Sequence, residues 1–90
     1  MQFVWMGFLK PGQPIDPAVQ LQISDFLQQP YTRIDSAGVL RDAEGQRAAY
    51  LVIFEAPDRA TAEALVGSSP VRAAGLYEDY RLFQYQREVG

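Results

Sequence analysis

The sequence predicts an α+β fold of order β-α-β-β-α-β, a four-stranded antiparallel sheet carrying two helices on one face. Three observations carry that reading. Segments of strand chemistry stand at both ends of the chain and in a central hairpin. Two Asp-capped amphipathic stretches separate them. The strands place large apolar side chains on both of their faces rather than on one. Ninety residues make a single domain, 1–90, and a domain that short gains from a second subunit because it buries little of its own surface.

Residues 1–9 form the first strand by their aromatic and β-branched content, with Val4, Met6 and Phe8 on one face and Phe3, Trp5 and Leu9 on the other. This apolar start has no basic leader and no small-residue cleavage site, so it reads as a strand and not as a signal peptide. Lys10, Pro11, Gly12, Gln13 and Pro14 supply the loop that ends it. Asp16 then caps a helix whose first residue is Pro17. Val19, Ile23, Phe26 and Leu27 recur at helical spacing as its buried stripe, and Pro30 stops it.

A second strand covers residues 32–40, with Ala37-Gly38 marking a bulge or a close approach. Residues 41–46 are polar and include Gly45, which suits a hairpin loop. Residues 48–56 form the third strand, in which Tyr50, Val52 and Phe54 alternate with Leu51 and Ile53. Pro57-Asp58 caps the second helix, built on Ala62, Leu65 and Val66, and residues 67–70 end it. The last strand spans 77–87, with Tyr80 and Leu82 on one face and Phe83 and Tyr85 on the other. This is the ferredoxin-like arrangement. Two helices cover one face of its sheet, and an uncovered apolar face of that size predicts a homodimer packed sheet to sheet. Trp5 is assigned to that interface.

Composition narrows the function classes. Eleven acids against eight bases give a net charge of −3, which argues against nucleic acid as a partner. The RNA-stacking motif of an RRM is likewise missing around residues 47–54. No apolar run is long enough to cross a membrane, and the expected location is cytoplasmic. Without cysteine or histidine the chain has no thiolate, no disulfide framework and neither of the commonest catalytic bases and metal ligands. No cofactor and no metal are expected.

Four segments in order resemble the YciI-like (YCII-related) family over nearly the whole chain. Ala37-Gly38-Val39-Leu40-Arg41-Asp42-Ala43-Glu44-Gly45 is similar to its AGPL-x-D-x-x-G stretch. Leu51-Val52-Ile53-Phe54-Glu55-Ala56 and the alanines at 60, 62 and 64 resemble its strand and alanine-rich helix. Pro70-Val71-Arg72-Ala73-Ala74-Gly75-Leu76-Tyr77-Glu78 resembles its DPYVAAGVYE segment. The resemblance implies a dimeric α+β barrel with a cleft between the first helix and the segment before the last strand. It also implies a His-Asp pair as acid-base centre in some members. Here the histidine position falls around Gln20 to Gln22, and the aspartate position is Ser69. Gln and Ser hydrogen-bond but do not exchange protons near neutral pH, so no catalytic residue is assigned.

The candidate ligand-binding residues are therefore Gln22, Ser69, Arg72 and Tyr77, around a small polar or anionic molecule. Each also has a plain structural role available: a cap for Ser69, an ion pair for Arg72, a core or rim position for Tyr77. Asp25 and Asp35 would be paired carboxylates only if the fold joined them. The expected function is a catalytically diverged YciI-like dimer with a small-molecule cleft. The alternatives are a small lyase or isomerase using carboxylate or tyrosine in place of histidine, and a structural or interaction module.

Overall fold

The computed structural model describes residues 1–12, 15–29 and 32–90, leaving aside the side chains of Val71 and Arg72. Gln13, Pro14 and Pro30, to which the sequence assigns loop and helix-stop roles, lie outside the described residues. The elements run β1 Gln2–Leu9, α1 Pro17–Leu27, β2 Ile34–Arg41, β3 Arg47–Glu55, α2 Arg59–Gly67, α3 Pro70–Ala73 and β4 Tyr77–Tyr85. The sheet order is β2-β3-β1-β4, with every neighbouring pair antiparallel. The predicted element order is met, with one addition, the short helix α3.

Local chemistry accounts for the boundaries. Asp16 accepts the main-chain N–H of Ala18 at 2.8 Å, and Asp58 accepts that of Thr61 at 2.7 Å, so both long helices begin on a carboxylate cap. The β2–β3 turn is held by Asp42, whose Oδ1 accepts from the N–H groups of Glu44 and Gln46, while Gly45 takes φ +81°. Register in β2 shifts at Asp35, between Ile34 and Ser36, and again between Leu40 and Arg41, rather than at Ala37-Gly38. At the first shift the Asp35 carboxylate accepts from Gln2 Nε2 at 2.8 Å and from Arg33 Nε at 2.7 Å. Those bonds, Gln2 first, hold its carboxyl below the usual carboxylate range.

Register decides which apolar face the helices cover. Phe3 stands opposite Phe54, Trp5 opposite Val52 and Leu82, and Gly7 opposite Tyr50 and Tyr80. Phe3, Trp5, Val52 and Phe54 are buried in one cluster with Ala56, Ala62 and Val66. Phe3 and Phe54 stack with ring centroids 6.0 Å apart. Trp5 is thus on the helix-covered face and only 2% exposed, which corrects its assignment to the subunit interface. The reason is parity: Trp5 shares the face of Phe3, not that of Val4 and Met6.

The opposite face carries Val4, Met6 and Phe8 of β1, Leu51 and Ile53 of β3, and Phe83 of β4, with no helix across it. Val4, Met6, Leu51 and Ile53 are half-buried by their neighbours alone, whereas Phe8, Leu40 and Phe83 are exposed. Polar groups gather at one end of this face, where the Met1 ammonium meets Glu55 at 3.2 Å and Gln2 meets Asp35. No helix among the described residues is long and apolar enough to cross a membrane.

Candidate functional site

A cleft of about 240 Å³ opens where α1 stands over the sheet. Ile23, Phe26 and Leu27 of α1 form one wall, Ala37, Gly38 and Val39 of β2 another, and Trp5, Tyr50 and Val52 the sheet floor. Ser69, Pro70 and Tyr77 close it. Ile23, Phe26 and Leu27 of the stripe read from the sequence line this opening, and Phe26 and Leu27 also pack against the core cluster, yet none of α1's residues is fully buried.

Helix α3 positions the closing residues. The Ser69 N–H donates to the carbonyl of Val66 at 3.1 Å, and the Ser69 carbonyl accepts from the N–H of Ala73 at 3.0 Å. Ser69 therefore joins the end of α2 to the start of α3, with Pro70 at the first helical position. It is 1% exposed, the one buried polar side chain among the described residues. Gly75, at φ +70°, reverses the chain after α3, and the N–H of Lys10 donates to the carbonyl of Leu76 at 2.9 Å, fixing where β4 begins. Sequence reasoning read residues 67–70 as a stop and missed α3. The Ser69-Pro70 pair was the available signal, being the same cap-and-proline start as Asp16-Pro17.

Tyr77 enters the cleft across Gly7. A Cβ at Gly7 would overlap Cε1 and Cζ of the Tyr77 ring, so a glycine in the middle of β1 is what lets the ring lie against the strand. The ring meets Trp5 edge-on at a centroid distance of 5.8 Å, and Trp5 meets Phe26 edge-on at 6.3 Å. Tyr77 lies beside Ser69, but its Oη makes no hydrogen bond with any described residue. Trp5 Nε1 is also buried without a partner. Each such group costs about 1–3 kcal/mol of unrepaid desolvation, so two on one wall demand an explanation. Burial pushes the Tyr77 phenol well above its ordinary value, against an opposing influence from Ser69.

The structure brings Ser69 and Tyr77 together at this cleft. Gln22 is exposed on α1 and is not among the lining residues, and the Arg72 side chain lies outside the described residues. The described lining includes no carboxylate and no cationic side chain. Asp25 is exposed, while Asp35 is engaged with Gln2 and Arg33, so the two carboxylates do not form a pair. Glu78 and Asp79 are both exposed. A larger groove of about 850 Å³, bordered by Phe8, Lys10, Arg41 and Arg47, contains none of the four candidate residues. Among the described residues no three His, Cys, Asp or Glu side chains gather as a metal site would require.

No protein-family model matches the chain, and no curated protein matches it by sequence. Among solved structures the chain is similar to 5-chloro-2-hydroxyhydroquinone dehydrochlorinase (TftG) from Burkholderia phenoliruptrix AC1100, in complex with 2,5-dihydroxybenzoquinone. The identity is 18% over 98% of this chain and 96% of that one, with a TM-score of 0.72. That likeness shows a shared fold along nearly the whole of both chains.

Proposed function

We propose that this chain is a catalytically diverged YciI-like protein, a homodimer through its uncovered sheet face, whose cleft beneath α1 binds a small molecule. One observation carries the reading: residues of α1, α3 and all four strands converge on an open aromatic cleft that the core packing leaves unfilled. A volume of about 240 Å³ lies below the roughly 300–1,000 Å³ of drug-sized sites, so the occupant is small. The structural neighbour was solved with a small quinone, which supports ligand binding as a use of this fold.

The wall chemistry favours binding over the lyase or isomerase reading. That reading needs a carboxylate or a readily ionised tyrosine at the cleft. The described lining offers no carboxylate, and burial keeps Tyr77 protonated. Of the residues expected to hold an anion, Ser69 lines the cleft and Gln22 does not, and the described lining suits a neutral, largely apolar ligand.

The test is a titration of ¹⁵N-labelled protein with 2-methoxyphenol, catechol and phenol, all neutral at pH 7. Shifts concentrated on Trp5, Tyr50 and residues of α1 are expected, and Ala37→Trp, which fills the cleft from β2, should abolish them. No response to any of the three probes, or shifts scattered away from the cleft, would refute the proposal. Light scattering checks the dimer, with twice the chain mass expected.

A further inference from the structure

The two unpartnered donors narrow the ligand further. Trp5 Nε1 is a donor only, and the Tyr77 phenol, held protonated by its burial, offers its own proton. Both belong to side chains that line the same cleft, and Trp5 is 2% exposed in the wall. Around them the described surface is apolar and aromatic, with Phe26 and Tyr77 each edge-on to the indole. A dry apolar cavity of about 150 Å³ accommodates benzene, so about 240 Å³ holds one substituted ring and not two. No described lining residue carries a charge that would repay the desolvation of an ionised group.

We propose that the ligand is a neutral, planar, single-ring molecule bearing an acceptor oxygen, such as an aryl ketone or quinone, which accepts from Tyr77 Oη and Trp5 Nε1. This rests on the cleft being a small-molecule site, as proposed above, and names the class that fits it. Ser69 sits beside Tyr77 and adds a hydroxyl that donates or accepts, which tolerates a second oxygen on the ring. Gly7 makes room for the Tyr77 ring, whose Cε1, Cζ and hydroxyl lie where a Cβ at that position would stand.

The probes are acetophenone, isopropylbenzene as its near-isostere without the oxygen, and benzoate as its charged counterpart. The hydrocarbon is driven out of water more strongly, so these two ligands are compared through a variant and not with each other. Tyr77→Phe should weaken acetophenone about tenfold and leave isopropylbenzene unchanged. Trp5 is the sole tryptophan, so its single indole N–H resonance gives a second readout on the unmodified protein. It should move downfield with acetophenone and not with the hydrocarbon. Benzoate should fail to bind where acetophenone saturates. If Tyr77→Phe changes both affinities equally, or the indole signal responds alike to both neutral ligands, the acceptor assignment falls while the cleft reading stands. Benzoate binding as tightly as acetophenone overturns the neutral class. If no probe binds the unmodified protein, both readings fall.

Discussion

Replacing Gly7 by alanine isolates the contact on which the cleft wall depends. The backbone at Gly7 is not in the left-handed region, so alanine meets no conformational penalty there. On that account alone the change would stabilise by about 0.4–1 kcal/mol through the unfolded chain. The steric effect opposes it, because the new Cβ would overlap the Tyr77 ring. Overpacking of that kind costs about 1–3 kcal/mol, and moving the ring away loses an edge-on contact with Trp5 worth about 0.5–1.5 kcal/mol. The net expectation is a destabilisation of about 1–2 kcal/mol, which for a domain of this size lowers Tm by about 5–15 °C. Thermal and urea unfolding at one fixed protein concentration would measure it, since a dimer's apparent stability depends on concentration. Gly38→Ala is the internal control: its Cβ would meet nothing within 4 Å, so Tm should hold or rise slightly. In a Tyr77→Leu background the Gly7→Ala penalty should largely vanish, which a double-mutant cycle reads directly. A Gly7→Ala protein as stable as its parent would refute the argument that Tyr77 rests on Gly7.

Ile53→Asp and Val52→Asp are adjacent on β3 and should fail differently. Ile53→Asp should give a folded monomer by light scattering, whereas Val52→Asp, buried beneath the helices, should lose the fold by circular dichroism, since an unpaired buried carboxylate costs several kcal/mol. A dimeric Ile53→Asp protein would count against sheet-to-sheet packing. The Asp58 carboxyl is lowered by the hydrogen bonds it accepts from Thr61, main chain first. Its contribution is therefore full above the ordinary value of 3.8 and lost as pH falls through the lowered one. Asp58→Asn should keep the cap and flatten that acid limb of the stability profile, and an unchanged limb would show that the cap does not titrate with folding. Ser69→Asp should still fold, unlike Val52→Asp, because the unpartnered Tyr77 hydroxyl beside it can pair with the new carboxyl, and a site that is 1% exposed should keep that carboxyl protonated to a higher pH than usual. A carboxyl signal that titrates at the ordinary value would show that the site is open to water.

The order of elements was legible because it depends on short-range chemistry. Asp16-Pro17 and Asp58 start the helices, Asp42 and Gly45 turn the hairpin, and period-two alternation marks the strands. What was not legible depends on choices between equals. When Val4-Met6-Phe8 and Phe3-Trp5 are both apolar, alternation separates the two sets but does not say which one the helices cover. Trp5 was misplaced for that reason. The bulge went to Asp35 because a carboxylate with two donors in reach outweighs a flexible Ala-Gly pair. Of the cleft, Ser69 and Tyr77 were found through their segment. Phe26, Tyr50 and Val39 were read only as packing, since their convergence is a property of the tertiary fold. Gly7 carried a usable signal that was passed over: a glycine inside an aromatic strand marks close approach.

Helix α1 has no fully buried residue, and Leu21 is 69% exposed on its outer side. Beyond the partial packing of Phe26 and Leu27 on the core, it is held by the Asp16 cap and by the two bonds between Gln29 and the backbone of Thr32. A helix held in this way opens at lower free energy than the strands beneath it. Amide hydrogen exchange should therefore run faster along α1 than along β1 and β3. A molecule filling the space below would contact Ile23, Phe26 and Leu27 together and slow that exchange. The route by which a ligand reaches the floor would then be the lifting of one helix, with association timed by how often it lifts.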